Sequence, residues 1–287
     1  MLIDRSPKRL FAFGCSFTEY YWPTWTEILS LDLDIPCYNY GKSGAGNQYI
    51  SNMLVQADHF YKFNKDDLII ISWTSVCRED RWKDRNWITP GNIYTQGEYS
   101  QEWVKEWADP LGYLVRDLAT ISLTKNYLEN RNCNWKMFSM CDLVVQLDQQ
   151  AHTAISADNI DSYNELLEIY KKDIGVLMPS FFNILWNNDV YKNKVLVDFK
   201  KFNNKYSDGH PTPKEHLEYL QCIFPEHQFK NNTIKTVENS DLILNNFISE
   251  KIKTVKNNFA MYKLSELEIK NLKKIIRIKP PLMPQRI

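Results

Sequence analysis

The sequence predicts an α/β protein built on a parallel sheet, followed by a helical C-terminal extension. Three observations carry that prediction. Short apolar runs at 10–13 and 68–71, each ending in glycine or a small hydroxyl residue, read as strands buried on both faces. Segments of helical periodicity separate the early strands, and that alternation implies parallel pairing through right-handed crossovers. Beyond residue 225 the periodicity is helical throughout.

The elements follow in order. Residues 9–14 form a first strand that runs into Cys15, Ser16, Phe17 and Thr18. Residues 23–31 place Trp25, Ile28 and Leu29 on one helical face. A second strand at 35–40 ends in the glycine-rich loop 41–47, where glycine permits positive φ and close backbone approach. A helix over 48–61 carries Ile50, Met53, Leu54, Ala57 and Tyr61 at helical spacing, and a third strand follows at 68–72. Residues 78–112 read as an irregular excursion of charged residues, Trp, Gly and Asn. Leu111, Leu114, Val115, Leu118 and Ile121 mark a helix to about residue 130, and 135–141 a fourth strand. Residues 143–149 and 160–186 read as mostly helical, with breaks near Gly175 and Pro179. Residues 194–199 form a further strand or a turn, loop 203–213 follows, and a helix covers 214–223. Leu244, Phe247, Ile248, Ile252, Val255 and Phe259 form one apolar stripe of the extension, and 280–284 an extended end. This gives an α/β domain over 1–225 with an insertion around 78–134, and a helical extension over 226–287.

Composition narrows the class. The chain has 287 residues, 44% of them hydrophobic, enough for a sizeable core and too apolar for gross disorder. Formal net charge is zero, but 249–287 carries +7 and the remainder −7, which reads as a solvated basic helix face rather than a nucleic-acid footprint. Six Cys show neither CxxC spacing nor a His cluster, so reduced thiols are expected. His59, His152, His216 and His227 lack carboxylates at ligand spacing, and neither a catalytic metal nor a cofactor is expected. The first residues lack the apolar core of a signal peptide and no run approaches a membrane span. The expected setting is the cytoplasm or a larger particle.

The chemistry follows from where the strands end. Ligands of open α/β sheets bind beyond the C-terminal strand ends. Ser16 ends the first strand, the 41–47 loop the second, and Ser72-Trp73-Thr74-Ser75 the third, while Asp208 and His210 lie in a late loop. Nucleophile, base, orienting carboxylate and oxyanion donors are what a serine hydrolase needs. Trp73, Thr74 and Arg78 are placed to meet substrate, and Tyr20, Tyr21, Trp22, Trp82 and Trp87 to wall a cleft suited to a sugar or an acyl chain.

Three blocks resemble those of the SGNH, or GDSL-type, esterases and lipases. They are Gly14-Cys-Ser16-Phe-Thr18, Asn39-Tyr-Gly41-Lys-Ser43-Gly44 and Asp208-Gly-His210-Pro211. The resemblance implies a three-layer α/β/α sandwich over roughly residues 8–222. It also implies Ser16 as nucleophile, His210 as base and Asp208 as its orienting carboxylate. The backbone N–H groups of Ser16 and Gly44 would hold the oxyanion. The chain departs from the family pattern at three points. Cys15 stands where the family has Asp, the third block has no Asn, and Asp208 and His210 are two rather than three apart. Asn47 or Thr74 would replace the missing donor, Asn47 being also a candidate N-cap. The expected activity is hydrolysis of small acyl esters, most simply acetyl, on a small molecule or glycan. The alternatives are acyl transfer on the same fold, or a non-catalytic binding or structural protein on a degenerate fold.

Overall fold

The computed structural model describes residues 6–94, 98–141, 143, 160–186 and 210–254, with backbone alone at 160 and 247–254. Strands β1 (Arg9–Gly14), β2 (Cys37–Gly41), β3 (Asp67–Trp73) and β6 (Asn134–Ser139) form one parallel sheet in the order β2-β1-β3-β6. Leu10–Phe13 and Leu68–Ile71 are fully buried, because both faces of the sheet are covered. Arg9 and Asp67 start neighbouring strands in register, and the guanidinium grips the carboxylate through two bonds of 2.6 and 2.8 Å.

Helix α1 (Trp25–Leu33) covers one face with α7 (Pro213–Ile223) and α8 (Asn231–Thr254). Helices α2 (Asn47–Tyr61) and α4 (Pro110–Glu129) cover the other, with α6 (Lys171–Ile174) against α4. The result is a three-layer α/β/α sandwich. Chain direction reverses between β1 and β3: from β1 the chain moves outward to β2, and from β3 outward to β6. A crevice opens at such a switch point, beyond the C-terminal strand ends.

The C-terminal helix is latched to this body. Asp32 on α1 accepts from His227 Nε2 and from the Lys230 backbone N–H, both at 2.8 Å, while Val237, Ser240 and Leu244 of α8 are buried. The outer edge of β6 is covered by chain rather than left open: Met178 N–H donates to Met137 O and Phe182 N–H to Met140 O. Helix α5 (Ile160–Ile169) precedes this segment and a π-helix, Phe182–Trp186, follows it, with a break at 175–180 where Gly175 and Pro179 signal one. No helix among the described residues is long and apolar enough to cross a membrane.

The excursion after β3 differs from expectation. It contains a hairpin, β4 (Arg81–Lys83) and β5 (Asn86–Ile88), and a short helix α3 (Gln101–Trp107). Asp84 and Arg85 form its two-residue turn with φ of 52° and 62°, the left-handed pair that matches hairpin twist. The expected elements at 144–149 and 194–199, most of loop 203–213 and the stretch beyond 254 lie outside the described residues.

The N-terminus of α2 shows how the excursion serves the sheet edge. Its N-cap is Gly46, not Asn47, and Gly46 brings no side chain to cap with. Asp80 does so from a distance, accepting from Gly46 N–H and Tyr49 N–H at 2.8 Å each. A Cβ on residue 46 would lie 2.7 Å from that carboxylate, which explains the glycine. Burial pushes the Asp80 carboxyl up, against the pull of the two N–H groups, Arg78 and Arg116. Asp80→Ala is expected to lower unfolding stability by about 1–2 kcal/mol, and Asp80→Asn to restore much of it. Urea midpoints check this; an unchanged midpoint for Asp80→Ala would refute the remote cap.

Candidate active site

Ser16 lies in a tight turn straight after β1. Thr18 N–H and Glu19 N–H both donate to Cys15 O, at 2.9 and 3.2 Å, and the turn turns Cys15 inward, where it is fully buried. Its thiol meets Met140 Sδ at 3.9 Å. Ser16 itself is also buried, 7% exposed.

His210 reaches Ser16 from 194 residues away, with Nε2 and Oγ 2.8 Å apart. The ring is held on several sides. Tyr20 stacks on it at 3.8 Å between centroids and 15° between planes, and Phe17 packs at 5.4 Å. The next residue is tied down as well, since Trp22 Nε1 donates to Pro211 O at 2.7 Å. Thr212 then caps α7 in a capping box with Glu215, so His210 sits just before a firmly started helix. His216, one turn into that helix, is buried; burial and, secondarily, the charge of His210 hold it down to about 3, so it stays neutral. Asp208 lies outside the described residues.

The glycine loop is shaped by its neighbours. Gly44 has φ of +75°, a conformation that favours glycine, and a Cβ there would stand 2.1 Å from Thr89 O. Gly44 O accepts from Gly91 N–H at 2.9 Å. Among the described residues, neither the Ser16 nor the Gly44 N–H donates to a protein acceptor.

Five expected residues are turned into the protein interior. Both amide hydrogens of Asn47 are committed, to Thr74 O at 3.2 Å and Asp117 Oδ2 at 2.8 Å, while its carbonyl accepts from Thr74 N–H. It braces the end of β3 and is not free to hold an oxyanion. Thr74 is fully buried, with its hydroxyl at Met140 Sδ, and Trp73 is fully buried too. Arg78 donates to Ala45 O at 2.8 Å and Ser75 Oγ at 3.0 Å, clamping the glycine loop from below. Trp73, Thr74 and Arg78 are thus held in the protein interior. Trp22, expected as a cleft wall, is buried as the clamp on Pro211.

Asp117 completes the brace. It is 1% exposed, bonded to Asn47 and Arg116, and burial pushes it up to about 6. A carboxyl that binds its proton more tightly folded than unfolded makes the protein more stable as pH falls. This contribution grows between about pH 6 and 4 and is absent above. The expected slope corresponds to roughly 2–3 kcal/mol, and Asp117→Asn should remove it. Urea unfolding at pH 4 and pH 7 checks this; an unchanged slope in the variant would contradict the assignment.

Among the described residues no group of three or more His, Cys, Asp or Glu is placed to hold a metal ion. A cavity of about 350 Å³ lined by Asp58, His59, Lys62 and Arg131 lies at the C-terminal end of α2, the opposite sheet edge from Ser16, and holds no candidate nucleophile.

No family model and no curated protein matches the chain. Solved structures do. A GDSL-like lipase from Bacteroides thetaiotaomicron is 14% identical, with 76% of this chain and 86% of that one covered and a TM-score of 0.39. A member of the lipolytic protein G-D-S-L family from Veillonella parvula is 12% identical, covering 76% and 99%, with a TM-score of 0.43. An acetylxylan esterase from Geobacillus stearothermophilus is 14% identical, covering 78% and 95%, also at 0.43. These are GDSL-type lipolytic proteins and an esterase, the group that the three sequence blocks resemble. At such identities and scores they assign neither a substrate nor a residue role to this chain.

Proposed function

We propose that the protein is a serine esterase that removes small acyl groups, acetyl above all, from a larger alcohol. The carrying observation is the 2.8 Å contact between Ser16 Oγ and His210 Nε2 at the switch point of the sheet. Ser16 Oγ attacks the acyl carbonyl carbon as His210 Nε2 takes its proton. The resulting oxyanion accepts from the N–H groups of Ser16 and Gly44. Collapse expels the alcohol, protonated by His210, and leaves an acyl-serine. Water, deprotonated by His210, then attacks that ester, releases the carboxylic acid and restores Ser16. Tyr20 and Phe17 hold the imidazole in place, and Asp208 of the same loop is its proposed orienting carboxylate.

The test is product analysis with p-nitrophenyl acetate. Nitrophenolate and acetate should appear in equal amounts, with no acetyl diverted to added sugar alcohols. Acetylated acceptor in place of acetate would make the protein a transferase. Release no faster than in buffer would remove catalysis.

A further inference from the structure

The β4–β5 hairpin sits at the glycine loop and grips it from outside. Lys42 Nζ donates to Trp87 O, Thr89 Oγ1 donates to Ser43 O at 3.0 Å, and Gly91 N–H donates to Gly44 O at 2.9 Å. Aromatic rings lead outward from that grip. Tyr49 meets Trp87 edge-on at 5.8 Å, and Trp87 meets its cross-strand partner Trp82 at 5.7 Å and 72°. Trp82 ends the series 58% exposed, an apolar plate turned to water that the fold does not require. Beside it, Lys83 and Arg85 are exposed on either side of exposed Asp84, leaving the tip net positive, and no ion pair among the described residues holds either cation. Arg85 is also held at φ of 62°, where a side chain is disfavoured, so its presence at the tip costs conformational energy.

The geometry points to this hairpin as a subsite for an acidic glycan, the carrier of the ester cleaved at Ser16. A pyranose presents a C–H face that stacks on an indole, and uronate carboxylates pair with Arg85 and Lys83. An acyl chain would want an aliphatic groove, which a ring flanked by cations is not. Single-stranded nucleic acid also suits exposed Trp and cations. The glycan is favoured because β5 and the residues just after it clamp the loop that carries the proposed oxyanion donor. The inference rests on the esterase reading only for the identity of the carrier. Binding itself needs no ester.

The experiment therefore uses an unacetylated oligogalacturonate, titrated into the full chain at low salt and followed by calorimetry. Saturable binding is expected, weaker for a neutral cello-oligosaccharide of equal length. Trp82→Ala should raise Kd at least about tenfold. Arg85→Gly should weaken binding and make it less sensitive to salt, while keeping the thermal midpoint, because glycine accepts the turn without strain. Equal binding by Trp82→Ala, equal binding of the neutral glycan, or preference for a thymidine oligonucleotide would each overturn the proposal. Labelling of Ser16 by a fluorophosphonate is read separately. Binding without labelling keeps the subsite and removes the esterase reading; labelling without binding does the reverse.

Discussion

Ser16→Ala is expected to abolish turnover of p-nitrophenyl acetate, lowering kcat by about 10⁴-fold or more. The effect is this large because the hydroxyl has no substitute in its turn. Cys15, the neighbouring nucleophilic atom, is fully buried and points to Met140. His210→Ala should cost about as much, and the double variant little more, since a nucleophile and its base act as one unit. Residual activity from aligned backbone donors then remains above the buffer rate. Steady-state rates of the three variants check this. A Ser16→Ala protein within tenfold of the parent would place the chemistry elsewhere.

Gly44→Ala should have the next largest effect. A Cβ at φ of +75° costs about 1–2 kcal/mol by itself, and this one would lie 2.1 Å from Thr89 O. Either the glycine loop or the segment after β5 must move, and the Gly91 to Gly44 bond is lost. On the proposed mechanism the N–H of residue 44 then no longer meets the oxyanion, and kcat should fall by about 10²–10³-fold, the cost of one such donor. KM should change far less, because the donor acts on charge that develops in the transition state. Rates measured alongside the urea midpoint separate the two losses. A well-folded variant with kcat within threefold of the parent would exclude Gly44 as a donor.

The sheet and the meeting of Ser16 with His210 were legible for physical reasons. Strands covered on both faces must be continuously apolar, so residues 10–13 and 68–71 stand out. Parallel strands gather their C-terminal ends at one edge, so Ser16 and His210 meet although 194 residues apart. What stayed hidden depends on partners distant in sequence. The hairpin strands are three residues long and their turn is Asp84-Arg85, with no Asn-Gly signal and no period to read. Asn47 reads equally as a donor or a cap until Asp117 and Thr74 are seen to occupy both amide hydrogens. Gly46 takes the N-cap because Asp80 arrives from 34 residues on. Arg78 reads as a substrate contact until Ala45 O is seen to hold it under the loop. Tyr20 reads as a wall and is found stacked on His210. In each case the residue type was informative and its direction was not.

The most direct measurement of the central claim is covalent labelling with a fluorophosphonate, located by peptide mass spectrometry. The account predicts one adduct, on the Ser16 hydroxyl, formed rapidly by the parent protein and at least about 10²-fold more slowly by a folded His210→Ala variant. No adduct in folded parent protein, an adduct on another residue, or labelling indifferent to His210 would contradict it.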